Sequence, residues 1–371
     1  MSTPFPTDPL QAVTHADPYP YYAGLARDRP LYRDARLGLW VASAPGTIRD
    51  IMRHPAARVR PMAEPVPRGI AAGPAGLLFG RFLRMNDGPR QARLKALFRA
   101  FLARQAPLAP APDWPRLEMD TGSAGAIDRY LHAAPVFAQA CALGLPGAVA
   151  ADCAREVGAF LAALPPAAPE DRVAAGHTAA ERLLARLGAH LDDRAASPAL
   201  RELRGQGADA GLEPALLAAN LAGLLFQSCE AGAGLLGNAL LRAGRQRAGA
   251  ALTLAQAWEL VDATLRHDPP FTTPVASWPA RSNWRASSCR PARPCCWWWP
   301  RRPWRSPRRT GPSAPRAMHA PGATRRAAMR PARWSICCAR ASTAPLAARF
   351  RYRPLPNARI PQFDFTEEPT P

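Results

Sequence analysis

One stretch of the sequence lacks acidic residues and lysine altogether. Between Asp268 and Asp364 there is no Asp, Glu or Lys, whereas we count 19 arginines, seven of the ten tryptophans and five of the eight cysteines. A packed domain mixes both charge signs on its surface and spaces its apolar residues with a period of about 2 or 3.6. This tract does neither, so its composition is not that of a globular segment.

The net charge of +20 would ordinarily favour a nucleic-acid or anionic-membrane partner. From residue 271 onward, however, 19 basic residues stand against three acidic ones, which leaves the first 270 residues at only +4. The charge of the whole chain is therefore a poor guide to its partners, and we expect nucleic-acid binding to be a minor possibility.

Three further absences narrow the class of protein. No cationic segment followed by an apolar run opens the chain, so we expect no signal peptide. There is no Cys-x-x-Cys spacing, which argues against a zinc site or a redox pair. The longest apolar stretch, 214–243, contains too many polar residues for a membrane span. We expect a cytoplasmic protein with reduced thiols and no membrane contact.

The anomalous tract has a genetic explanation. If each codon starts at the third base of the printed one, residues 295–300 can encode only Leu-Leu-Val-Val-Ala. Such a run is typical of a buried strand. The pattern indicates compensating frameshifts near 271–273 and near 341–345, so that residues 271–345 are translated out of frame.

Outside this tract the sequence predicts mostly helices. Residues 31–33 and 39–42 read as a β-hairpin, and helices are predicted at 47–54, at 90–104 and through residue 191. The Pro/Gly/Ala-rich residues 60–80 indicate a long loop, a candidate substrate lid. A helix of about thirty residues begins at Pro214. Thr253 and Gln256 form a possible capping box for the next helix, which Pro269 and Pro270 end.

Glu230 is the most unusual residue of the long helix. It stands in the middle of an apolar run and is followed by three small residues. An unpaired buried carboxylate is costly, and small side chains leave a groove. Glu230 is therefore either a satisfied core residue beside a close helix contact, or part of a helix opened to hold a flat cofactor and deliver protons.

Three segments, 226–238, 85–95 and 261–270, resemble helices of the soluble bacterial cytochrome P-450 family, and both chain ends are similar to it too. The resemblance covers about residues 8–270 and 346–371. It implies a mainly α fold with small β-sheets, incomplete after residue 270. We expect three parts: a helical part at 1–270, the anomalous tract at 271–345, disordered as printed, and a C-terminal segment at 346–371.

The resemblance also implies roles for single residues. Glu230 falls on the acid that relays protons in the family, and Ala231 falls where the family has Thr. Gln91 and Lys95 occupy the two positions that contact a haem propionate, although a solvated basic helix face is the plain alternative.

A third pair of positions concerns the fold. Arg266 matches the Arg of the family's buried Glu-x-x-Arg pair, whereas Ala263 stands at the Glu position and Asp262 is one residue off. A buried Arg without its partner costs about 3 to 5 kcal/mol, a cost that vanishes if Arg266 reaches solvent.

The family's haem loop is missing from the printed frame. The shifted frame across 312–322 permits Phe-Gly-x-x-Gly-His-Ala-Cys-Pro-Gly, which places the family's haem-ligating Cys near His319 and Ala320. As printed, no cysteine sits in such a loop, so we expect no metal ligand.

These observations leave three hypotheses. The resemblance implies a haem b monooxygenase that oxidises a small organic, secondary-metabolite substrate with electrons from a ferredoxin and its reductase, impaired as printed. The changes at Gln91, Ala231 and Ala263 instead favour a non-catalytic relative that assists a glycosyltransferase. Taken literally, the Arg/Trp-rich tract would be a nucleic-acid-binding arm.

Overall fold

The computed structural model describes residues 5–105, 117–118, 125–246, 252–270, 275–276, 295–297, 349–355 and 358–363. Eleven α-helices and six short strands lie in these ranges. Helices make up most of them, so the predicted mainly α class with small β-sheets is confirmed.

The N-terminal part combines three helices with a hairpin. α1 (Pro9–Thr14) and α2 (Tyr19–Asp28) precede β1 (Leu31–Asp34) and β2 (Leu39–Ala42), and α3 (Pro45–Arg53) follows. β1 and β2 are antiparallel, with Leu31 opposite Ala42. The hairpin and the helix predicted at 47–54 are both confirmed.

The prediction of a continuous loop at 60–80 was wrong in its second half. A 3-10 turn (Arg68–Ile70) is followed by α4 (Pro74–Arg81) and by a second 3-10 turn (Leu83–Met85). Proline at the first helical position is favourable because its missing N–H would have no partner there. Leu78 and Phe79 are buried in the main apolar core. The burial of these two side chains thus stabilises a helix where the Gly/Pro/Ala composition favours a loop.

The middle of the chain is a stack of helices: α5 (Pro89–Arg104), α6 (Ala126–Ala142), α7 (Gly147–Ala162), α8 (Glu170–Asp192) and α9 (Pro198–Asp209). α6 packs on α7, α7 packs on α8, and α4 lies against α8. The predicted helix at 90–104 is confirmed as α5.

The central element is α10 (Pro214–Arg245), whose 32 residues span about 48 Å at ~1.5 Å per residue. It packs against α4, against α6 to α9 and against α11, and most of its residues are buried. The predicted long helix is confirmed. Within the described ranges, no helix combines the length and the apolar character that a membrane span requires.

The following helix, α11 (Leu254–His267), begins with the predicted capping box. The hydroxyl of Thr253 accepts a hydrogen bond from the Gln256 N–H at 3.3 Å, and Gln256 Oε1 accepts one from the Thr253 N–H at 2.8 Å. The helix ends before Pro269 and Pro270, as predicted.

Two small sheets complete the described structure. β3 (Val275–Ala276) and β4 (Cys295–Trp297) extend the hairpin into a sheet of order β1-β2-β4-β3, in which β4 runs parallel to β2. β4 coincides with the stretch for which the shifted frame predicts a buried strand. β5 (Arg351–Tyr352) and β6 (Pro361–Gln362) form an antiparallel pair. The remainder of the tract 271–345 lies outside the described residues.

Candidate functional site

Glu230 lies near the middle of α10, and its side chain is half-buried. The next two residues, Ala231 and Gly232, carry no hydroxyl. Ser228 does carry one, but its hydroxyl donates to the carbonyl oxygen of Leu225 at 2.6 Å, within its own helix. The carboxyl group of Glu230 therefore has no neighbouring alcohol on α10 that is oriented for proton transfer.

The small residues after Glu230 are used partly for close packing. A Cβ added to Gly234 would lie 2.9 Å from the carbonyl oxygen of Arg359, and one added to Gly237 would lie 2.7 Å from Cδ of Pro361. Ala233 is completely buried in a cluster with Ile360. Close packing thus explains the small residues at 234 and 237, where the partner is mainly the C-terminal segment and not a helix, whereas Glu230 and Ala231 lie on the accessible part of α10.

Burial raises the pKa of the Glu230 carboxyl above its ordinary value. The guanidiniums of Arg353 and, to a smaller extent, Arg84 oppose this shift. Arg353 comes from the C-terminal segment and Arg84 from the 3-10 turn before α5. Glu230 therefore takes up a proton more readily than an exposed glutamate and faces two positive charges from distant segments.

Arg353 is oriented by α6. Asp128, which is buried, lies 3.8 Å from Nη2 of Arg353 and accepts a hydrogen bond from the Phe363 N–H at 2.9 Å. One turn further along α6, His132 Nδ1 donates to the Asp128 carbonyl at 2.8 Å. Burial lowers the pKa of His132, and Arg353 adds to the effect. A neutral imidazole and a paired carboxylate of α6 thus lie near Arg353.

Gln91 and Lys95 lie one turn apart on the same face of α5, and both are half-buried. α5 packs mainly against α9 and touches the 3-10 turn that carries Arg84. The structure therefore places these predicted haem-propionate positions on a different helix from Glu230, with Arg84 in the turn just before that helix. Their assigned role stays a prediction.

Arg266 is exposed to solvent on α11, and Ala263 is half-buried. The exposed guanidinium keeps its hydration, so the cost expected for a buried arginine without its glutamate does not apply. Of the two situations considered for Arg266, burial without a partner and exposure to solvent, the structure shows exposure.

Cys141, Cys153 and Cys229 do not fit the role of a haem ligand, which must be a thiolate. Cys141, Cys153 and Cys229 are all buried. Burial raises the pKa of Cys153 and of Cys229 to about 12, so both remain thiols. Cys229 instead donates to the His132 carbonyl at 3.4 Å. The predicted loop near His319 and Ala320 lies outside the described residues.

Sequence reasoning missed Arg84, Arg353 and His132. They lie about a hundred or more residues from Glu230 along the chain, and none belongs to a motif that marks it as a partner of that residue. Only the packing of α6, α10 and the C-terminal segment brings them near it.

Comparison with known proteins finds neighbours among solved structures only. No protein-family model matches the chain, and no curated protein does. The crystal structure of CalO2 aligns with 96% of this chain and 97% of its own at 19% identity, with a TM-score of 0.68. P450BioI, solved with a ligated acyl carrier protein, covers 93% and 96% at 15% identity and a TM-score of 0.63. CYP164A2 of Mycobacterium smegmatis, solved with econazole, covers 96% of both chains at 20% identity and a TM-score of 0.58.

These alignments run over nearly the full length of each chain and define the class: the protein has the cytochrome P450 fold. The fold class expected from the sequence is therefore confirmed.

Proposed function

We propose that this chain derives from a haem-thiolate monooxygenase that oxidises a small organic molecule, and that the printed polypeptide is impaired. The observation that carries the proposal is Glu230, a half-buried acid in the middle of α10, in a segment whose sequence resembles the one that carries the proton-relay acid of cytochromes P450. The fold supports it independently.

The surroundings of Glu230 favour the protonated form of its carboxyl group. Because burial raises the pKa of Glu230, the carboxyl group is protonated at higher pH than an exposed glutamate, which favours a general acid. Ala231 and Gly232 offer no hydroxyl to pass a proton on, so water or a substrate hydroxyl would have to complete the path. His132 is kept neutral by burial and does not compete as a charged donor.

A thiolate-bound haem would supply dioxygen activation in such an enzyme. Gln91 and Lys95 are the residues proposed to donate to its propionates, Lys95 as a point charge and Gln91 as a neutral donor. Cys141, Cys153 and Cys229 are buried and do not fit the role of its thiolate ligand. The cysteine that would hold the haem is encoded in the shifted frame, near His319 and Ala320.

The basic residues of α5 suggest the kind of electron donor. This helix contains five basic residues and no acidic one, and Arg90, Arg93 and Arg99 are exposed. Such a concentration of positive charge attracts an acidic protein partner over long range. P450BioI has been solved with an acyl carrier protein. For this chain we propose an acidic electron donor such as a ferredoxin, with a cytoplasmic location.

The test compares two proteins: the printed chain and a variant in which codons 271–345 are restored to the shifted frame. We expect the restored protein to show a reduced carbon monoxide difference band at the thiolate position and the printed chain to show none. Resequencing of the gene across the same codons runs in parallel. Absence of haem from the restored protein would refute the proposal.

A second candidate is a non-catalytic partner of a glycosyltransferase. The specific observation in its favour is the missing alcohol beside Glu230: Ala231 and Gly232 have none, and the Ser228 hydroxyl is bonded within the helix. These residues lie outside the anomalous tract, so a frame correction would not restore them. Co-purification with a glycosyltransferase and no turnover by the restored protein would favour this candidate; turnover would exclude it.

A further inference from the structure

Asn220 is a buried polar residue on α10, ten positions before Glu230, and all its hydrogen-bonding groups are engaged. Its side chain is 3% exposed. Oδ1 accepts from the Leu83 N–H at 2.6 Å, and Nδ2 donates to the carbonyls of Arg81 at 3.0 Å and Leu216 at 2.8 Å. Two of these three bonds hold the backbone of residues 81–83 against the central helix.

The same segment is also fixed by packing. Phe82, which is 1% exposed, lies against Gly223, where an added Cβ would be 3.1 Å from its ring. Its ring centroid is 5.2 Å from that of Phe226 and 6.0 Å from that of Phe160. Asn86 closes the turn by donating to the carbonyls of Gly80 and Phe82. The backbone therefore has little freedom where Arg84 leaves it.

Arg84 is the next residue after this clamped stretch, and it interacts electrostatically with Glu230. Its side chain is accessible to solvent, although neighbouring protein atoms desolvate the guanidinium enough to lower its pKa. A charge that water can reach keeps most of its hydration. The interaction is then a screened one whose strength depends on where the backbone places Arg84.

We propose that Asn220 is a positioning residue for Glu230: by clamping residues 81–83 to α10 it holds Arg84 opposite the Glu230 carboxylate. The proposal rests on the proposed role of Glu230 as the proton-relay acid, since only then does its charge state matter for function. The other groups that face Glu230 are Arg353 from the C-terminal segment and Cys229 on α10, with Asp128 and His132 of α6 beyond Arg353. None of these is held by Asn220.

The test measures the pKa of Glu230 in the full chain, with no cofactor required. Glutamate labelled with carbon-13 at the side-chain carboxyl gives at most eleven signals, and Glu230→Gln assigns the one of interest. Arg84→Gln should shift the Glu230 midpoint upward because a stabilising positive charge is lost. Asn220→Leu should shift it in the same direction, and the double variant should shift it no further than Arg84→Gln alone.

His177→Leu is the matched control. His177 on α8 accepts a hydrogen bond from the Ala75 N–H at 3.2 Å and so holds the other end of the segment, at the start of α4. This variant loosens α4 but keeps the Leu83 and Arg81 bonds, so the Glu230 pKa should not change. An equal shift in both variants would mean that general loosening controls Glu230, and would overturn the proposal.

Asn220→Ser covers the case in which Asn220→Leu does not fold. A serine hydroxyl bonds back to the carbonyl four residues earlier and leaves α10 intact while releasing residues 81–83. An unchanged Glu230 pKa in this variant, with Arg84→Gln raising it, would refute the clamp. The pKa measurement is independent of haem, so failure of the proposed function in the carbon monoxide spectrum leaves this test intact.

Discussion

Arg359 and Asp268 form an ion pair that joins the C-terminal segment to the end of α11. Nε of Arg359 lies 3.2 Å from Oδ1 of Asp268, and the Arg359 side chain is completely inaccessible to solvent. Its Nη1 donates to the carbonyls of Val13 at 2.7 Å and His15 at 2.9 Å. The guanidinium also stacks on Tyr352, at 3.8 Å from the ring centroid. One buried cation thus ties the N-terminal segment, the end of α11 and the C-terminal segment together.

Asp268→Ala should be strongly destabilising. The substitution removes the carboxylate that pairs with Arg359 and that accepts from the hydroxyls of Tyr19 and Tyr352, and it leaves a positive charge buried. Breaking a buried pair by removing one partner costs about 3 to 5 kcal/mol. Urea unfolding checks the free energy. Asp28→Ala is the control, because Asp28 forms an exposed ion pair with Arg27, and no measurable change is expected. Equal effects of the two substitutions would contradict the buried-pair account.

Phe82→Ala should cost about 3 to 5 kcal/mol, because it leaves a cavity between the rings of Phe160 and Phe226. Leu77→Ala on the neighbouring α4 is the matched control. Leu77 is 62% exposed, so its truncation should change the free energy of unfolding by no more than about 0.5 kcal/mol. Thermal or urea unfolding measures both variants. A loss for Phe82→Ala no larger than that for Leu77→Ala would contradict the packed position of Phe82.

Glu230→Gln should stabilise the protein at neutral pH. Burial raises the pKa of Glu230, so the folded state binds a proton more tightly than the unfolded state does. The stability of the wild-type protein therefore falls as the pH rises from the ordinary glutamate value through the raised one. Glutamine resembles the protonated form at every pH. The difference in unfolding free energy between variant and wild type should be close to zero in acid and grow through this window. A difference independent of pH would rule out the raised pKa.

Cys153 and Cys229 should resist alkylation in the native protein. Both thiols are buried, and their pKa values of about 12 leave almost no thiolate at pH 8. Peptide mapping by mass spectrometry after iodoacetamide treatment should find them unmodified without urea and modified in urea. Rapid labelling of Cys229 in the native state would show that the central helix is open at this point.

Local sequence patterns were sufficient for several elements. The capping box of Thr253 and Gln256, the hairpin at 31–42 and the long helix from Pro214 all depend on residues a few positions apart, and all were predicted correctly. α4 was not, because the burial of Leu78 and Phe79 against α8 outweighs a composition that locally favours a loop.

The sequence by itself determined that this is a mainly helical protein resembling cytochromes P450, with Glu230 as its candidate acid and a compositional break after residue 270. Only the tertiary structure decided what surrounds that acid. Desolvation and Coulomb interactions depend on distances in space, and Arg84, Arg353 and His132 come from segments far apart in the chain. The burial of Arg359 could not be predicted from the sequence either, because its partner Asp268 stands 91 positions earlier.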